Sequence, residues 1–125
     1  MKKFFVFLLA IMAVQLLSGQ VNARLMRYAD VSEKQIAFVY GGDIWIMPKD
    51  GGTAHQLTHS PGEESWPRFS PNGKELAYSA SYNGNMDLFV ISSEGGVPTR
   101  ITYTSFDDRM VEWHPDGQRL LFASK

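Results

Sequence analysis

Cysteine is absent from the 125 residues. That excludes a disulfide framework, the usual reinforcement of a small exported domain, and it excludes a lipid-modified N-terminal cysteine. Clustered basic charge is absent too. The formal net charge is −1 and no block of Lys or Arg occurs, so neither nucleic acid nor an anionic membrane surface is indicated as a partner. The longest apolar run covers residues 4–14 and resumes after Gln15 with Leu16 and Leu17. It falls short of the ~20 residues that span a bilayer. No glycine-rich phosphate loop and no G-x-S-x-G elbow is present.

The apolar run reads as the centre of a secretory leader. Lys2 and Lys3 precede it, and Val21 and Ala23 supply the −3 and −1 positions of a cleavage site. The expected division is a signal peptide over residues 1–23 and a mature chain over residues 24–125. A retained membrane anchor and cleavage nearer Gly19 are the alternatives. The product would be exported, periplasmic or secreted. Without Lys2 and Lys3 the 12 basic residues become 10 against 13 acidic ones, a net −3.

A single stretch of the mature chain occurs twice. Asp43-Ile44-Trp45-Ile46 returns as Asp87-Leu88-Phe89-Val90, Gly51-Gly52 as Gly95-Gly96, Leu57-Thr58 as Ile101-Thr102, and Phe69-Ser70-Pro71-Asn72-Gly73 as Trp113-His114-Pro115-Asp116-Gly117. Each pair lies 44 residues apart in the numbering. A fixed period of about 40–45 residues with four short strands per period is the sign of a β-propeller blade. The expected fold is all-β, with blades of four antiparallel strands, about two and a half of them forming an incomplete ring.

Taken in order, residues 24–32 read as the first strand of blade one, with Tyr28 at the position of Phe69. Residues 35–40 alternate with period two and are apolar on both sides, which predicts a strand buried on both faces. Gly41-Gly42 predicts a tight hairpin, residues 43–48 the next strand, and residues 54–58 a short outer strand. Blade one thus covers residues 24–58 and blade two residues 65–102, with strands over 65–70, 75–80, 86–92 and 98–102. Blade three starts over residues 109–125, with strands over 109–114 and 119–124. A propeller closes with about four to eight blades. The chain is therefore expected to be the N-terminal piece of a longer protein whose remaining blades complete the ring. Assembly of several copies into one ring, a homo-oligomer, is the alternative, and a truncated, non-functional product is a third reading.

Residues that could carry chemistry do not form a set. His55, His59 and His114 lack metal-ligand spacing, and His114 occupies a turn position that Ser70 fills in the other copy. They read as surface or structural groups, even beside Ser60, Ser105, Asp107 and Asp108. Glu63-Glu64 could bind peptide N-termini but reads as a solvated loop between blades. Asp43 and Asp87 recur in register, which predicts carboxylates accepting backbone N–H bonds in each hairpin. The expected site inventory is no catalytic residue, no cofactor-binding residue, no metal ligand and no cofactor.

Residues 43–52, Gln56-Leu57-Thr58, residues 66–74 and Leu76-Ala77-Tyr78-Ser79 together resemble the WD40-like propeller repeat. Tricorn proteases, the Tol-system propeller protein TolB and prolyl-oligopeptidase-type enzymes share it. The match runs over residues 35–124. Gly41-Gly42-Asp43-Ile44-Trp45 and residues 108–117 look most like the N-terminal propeller of exported tricorn-like proteases. The resemblance implies a segment of a large serine peptidase in which propellers filter or channel peptides toward a separate catalytic core. Its partners would be peptides or unfolded polypeptide, the remaining blades and the catalytic domains. The family's catalytic residues match no position here. The archetypal members are cytoplasmic, so the leader departs from the pattern. The alternative is a TolB-like periplasmic propeller, a protein-binding scaffold without activity. Residues 60–64 and 105–108 would contribute to the rim of a channel.

Overall fold

The computed structural model describes residues 25–125; the leader expected over residues 1–23 lies outside the described residues. Ten strands follow one another: β1 Arg27–Val31, β2 Gln35–Tyr40, β3 Asp43–Pro48, β4 His55–Gln56, β5 Glu64–Phe69, β6 Glu75–Ala80, β7 Asp87–Ser92, β8 Thr99–Arg100, β9 Asp108–Trp113 and β10 Leu120–Ser124. They pair as antiparallel meanders: a first sheet β1-β2-β3-β4, a second β5-β6-β7-β8, and a two-stranded third of β9 and β10. The fold is all-β, two complete four-stranded blades and the start of a third, and the sheets do not close into a ring.

Period-two alternation explains the stacking. On β6, Leu76, Tyr78 and Ala80 join Ala37, Val39, Ile44, Ile46 and Leu57 in the core between sheets one and two. The opposite face of β6 presents Ala77, which packs with Leu88, Met110 and Trp113 between sheets two and three. Sheet two is thus apolar on both faces because both are covered. In sheet one the face toward sheet two is buried at Ala37 and Val39, and Phe38 on the other face is buried as well, while Ile36 and Tyr40 remain half-buried. The expected burial of both faces of this strand holds only incompletely.

β5 packs against β1 on one side and β9 on the other, and the three form the innermost layer. Two-residue turns set the meander. Gly41 and Gly42 have φ of 64° and 91°, a left-handed pair that matches the strand twist in a hairpin and that side chains resist. The outer strands are shorter than expected, because only two residues in each complete the ladder. Leu57 N–H nevertheless donates to Ile44 C=O at 2.8 Å, and Ile101 N–H to Leu88 C=O at 2.7 Å.

One alignment is corrected. Val31 pairs with Ile36 as Phe69 pairs with Leu76, and Asp30 with Ala37 as Arg68 with Ala77. Tyr28 therefore corresponds to Trp66, and Val31 to Phe69. The turn between the first two strands of sheet one is two residues shorter than in sheet two, which displaced the reading of β1.

Candidate functional site

The innermost strands carry a row of planar side chains. β1 and β5 each break register near their start, between Arg27 and Asp30 and between Ser65 and Arg68. Both irregularities hold a bulky aromatic in the left-handed region: Tyr28 and Trp66 each have φ of 52°. Such a conformation costs about 1–3 kcal/mol for a non-glycine residue and concentrates at functional positions. The rings of Tyr28 and Trp66 meet across the gap between sheets, centroids 5.3 Å apart. The Arg109 guanidinium then lies 4.7 Å over the Trp66 ring, a cation–π contact. The row crosses all three sheets.

Two clefts open beside this row. Tyr28, Tyr40, Gly42, Glu63, Glu64 and Ser65 help line the first, between sheets one and two, of about 430 Å³. Trp66, Met86, Asp107, Asp108 and Arg109 help line the second, between sheets two and three. The lining residues Gly42, Glu63, Glu64 and Ser65 recur 44 positions later as Met86, Asp107, Asp108 and Arg109.

The floor of the first cleft is a buried carboxylate. Glu64 opens β5, its backbone N–H donating to Gly42 C=O at 2.9 Å, and only 1% of it is exposed. One carboxylate oxygen accepts the Ile44 N–H at 3.0 Å and the Thr58 hydroxyl, and the other accepts the Tyr82 hydroxyl. Ile44 and Thr58 belong to the first blade and Tyr82 to the second, so Glu64 ties the blades together. Burial raises its carboxyl above the ordinary range. Hydrogen bonds from Thr58, Tyr82 and Ile44 oppose the rise, and the Asp43 charge adds to it. Burial likewise raises the Tyr82 phenol, which stays protonated as a donor.

Because the folded value lies above the unfolded one, the stability Glu64 contributes is complete below the unfolded carboxyl range. It is lost as pH rises through the raised value. Glu64→Gln removes this titration. Thermal denaturation of both chains should therefore show the midpoint advantage of the unmodified chain shrinking as pH rises above the ordinary carboxyl range. A difference independent of pH would show that Glu64 does not titrate abnormally.

Comparison with known proteins bears on this architecture. Residues 23–125 match the family described as "Tricorn protease N-terminal beta propeller domain". The chain belongs to that family. Tricorn protease homolog 2 of Streptomyces coelicolor is 38% identical over 56 residues, 44% of this chain and 5% of the relative. The matched stretch is therefore a small fraction of that protein's length. The crystal structure of the tricorn protease superposes with a TM-score of 0.65 at 27% identity, over 74% of this chain and 10% of that one. TolB from Agrobacterium tumefaciens gives 0.62 at 26% identity, over 73% of this chain and 34% of that one.

In this tricorn-type propeller segment the residues singled out from the sequence scatter. His55 and His59 are exposed on the outer edge of the first blade. His114 is a turn residue bound to Asp116 at 3.0 Å. The Asp116 carboxyl is held down at about 2, first by the Gln118 N–H and then by Arg119 and His114. Among the described residues, no group of three or more His, Asp or Glu gathers as a metal site would require.

Two carboxylate expectations are overturned. Glu63 is exposed as expected, but Glu64 is not a solvated loop residue, because the Thr58–Ile44–Tyr82 network encloses it. Among the described residues Asp87 accepts no backbone N–H bond. It pairs with Arg100 at 2.7 Å and takes the Asn85 amide at 3.5 Å. Asp43, half-buried, makes no such pair among the described residues, since Gln56 stands where Arg100 does.

At the expected rim, Ser105 is exposed and Ser60 half-buried. Asp107 accepts the Met86 N–H at 2.8 Å, and Asp108 is buried, taking the Ser124 hydroxyl at 2.6 Å. The aromatic row itself was missed. Its signal was the recurrence of a large ring, Tyr28 and Trp66, near the start of the first two inner strands.

Proposed function

We propose that the chain is the non-catalytic propeller segment of an exported, tricorn-like serine peptidase. Its innermost strands line a path along which peptides reach or leave a catalytic core carried elsewhere in the same protein. The observation that carries this reading is the Tyr28–Trp66–Arg109 row. Rings and a guanidinium held on the innermost layer, two of them at strained backbone positions, offer sequence-tolerant stacking to an extended polypeptide. The named relatives support the peptidase class. The leader over residues 1–23 supports export to the periplasm, and the remaining blades and catalytic domains are the implied partners.

The test uses the full-length product in its source cells. An antibody against residues 43–73 should detect a band many times the mass of this chain in the periplasmic fraction. That purified product should hydrolyse unstructured peptides and lose the activity, by at least about a hundredfold, on treatment with a serine-directed phosphonate. A full-length product without peptide hydrolysis would overturn the reading. A TolB-like scaffold, favoured by the similar superposition on TolB, would then be the better account. It predicts stable co-purification with envelope proteins.

A further inference from the structure

Of the side chains that differ between the two clefts, one decides whether the aromatic ring carries a cation. Ser65 pairs with Ser79 on β6 as Arg109 pairs with Ala123 on β10, so the two residues hold the same place on successive inner strands. In the second cleft Arg109 lays its guanidinium on the Trp66 ring. In the first cleft the corresponding ring is Tyr28, and Ser65 is too short to cover it. Tyr28 is left 41% exposed in an open space of about 430 Å³. Both clefts are open, of about 430 and 360 Å³, but the ring in the second carries the protein's own arginine and the ring in the first carries none.

We propose that the cleft between blades one and two binds the arginine side chain of an extended peptide, its guanidinium stacked on Tyr28 as Arg109 stacks on Trp66. The charges fit this guest. Glu63 stands exposed on the cleft wall, whereas both Glu64 oxygens are already bonded. Arg27 also lines the cleft and opposes a cation, so stacking on the ring supplies the recognition and Glu63 the preference for charge. A guanidinium is planar and weakly hydrated, and lies flat on aromatic faces more readily than an ammonium does. Gly41 and Gly42 leave the approach free, with nothing within 4 Å of where their Cβ atoms would be. This deepens the peptide-path reading and rests on it.

The experiment titrates acetyl-Gly-Arg-Gly-amide onto the intact protein and follows saturation transfer to the arginine side-chain protons. The neutral citrulline analogue and the lysine and phenylalanine tripeptides serve as comparisons. The arginine peptide should bind about tenfold more tightly than the citrulline peptide. Ser65→Arg, which supplies an internal guest, should weaken binding at least about tenfold, while Tyr28→Phe should keep it. Tyr28→Gly, which removes the ring and relaxes the backbone, should abolish it. Equal binding of arginine and citrulline peptides, unchanged binding by Ser65→Arg, or preference for phenylalanine would overturn the assignment.

Hydrolysis by the same protein separates the two proposals. Arginine binding blocked by Ser65→Arg in a protein that cleaves nothing sinks the peptidase reading alone. Cleavage without any arginine effect sinks the cleft alone.

Discussion

Leu76→Ala should lower the stability of the chain by about 2–5 kcal/mol. Leu76 is 0% exposed. It projects from β6 into the core between sheets one and two, among Ile44, Ile46, Phe69 and Ile91. Truncation removes its transfer free energy and leaves a cavity. Two stacked sheets close such a cavity poorly, because their spacing is set by every other side chain between them. For a domain of this size the loss corresponds to a drop in melting temperature of at least about 8 °C. Val97→Ala is the control: Val97 is 91% exposed, and its truncation should stay within about 0.5 kcal/mol. Thermal denaturation followed by circular dichroism compares the two. Equal midpoints would mean that sheets one and two do not share a packed core.

The architecture was legible because the blades obey one register. Strand pairing fixes Asp43 opposite Tyr40 and Asp87 opposite Ala80, and from there to the inner strand of the next blade the spacing is 44 residues throughout. The misalignment of Tyr28 with Phe69 arose where that spacing fails. The first turn of sheet one, closed by the Ser32 hydroxyl on the Gln35 N–H at 2.9 Å, is two residues shorter than its counterpart, closed by Ser70 on Glu75 at 3.0 Å. Both turns use the same hydroxyl cap, so the structure realigns what the sequence spacing displaced.

The site was less legible, for reasons of range. Glu64 reads as a loop acid because its own neighbours, Gly62, Glu63 and Ser65, are polar or small. Its burial is decided by groups far off in sequence, Ile44, Thr58 and Tyr82. One signal was available: Thr58 and Glu64 recur as Thr102 and Asp108 at the common offset, and an acid repeated just inside an inner strand marks a structural tie between blades. The left-handed backbone at Tyr28 and Trp66 had no such signal. Nothing local favours it, and it follows from the irregular pairing with β2 and β6. The cleft between the blades depends on Ser65 being small where Arg109 is long, a contrast that acquires meaning only once both inner strands are superposed.

Arg100→Met should be the most damaging change at the outer edge of the second blade, costing about 3–5 kcal/mol. Asp87 is 0% exposed, and its ionic partner among the described residues is Arg100, 2.7 Å away. Removing the guanidinium strands the carboxylate with the 3.5 Å contact from Asn85 alone. Methionine also loses the Arg100 Nε–H bond to Thr102 C=O at 2.9 Å and the stacking over Tyr103. Urea denaturation measures the loss. Most of it should return in the double variant Asp87→Leu, Arg100→Met, because an apolar pair of similar volume needs no partner. A single-variant cost below about 1 kcal/mol would place the pair with exposed ion pairs.

Blade one supplies the matched comparison. Gln56 takes Arg100's place there and donates to Thr58 C=O at 2.8 Å, so the carbonyl contact is common to both blades, while the ion pair belongs to the blade whose aspartate is buried. Gln56→Met should therefore cost only about 0.5–1.5 kcal/mol, the worth of one hydrogen bond. The difference between the two substitutions then measures what burying Asp87 demands of its partner.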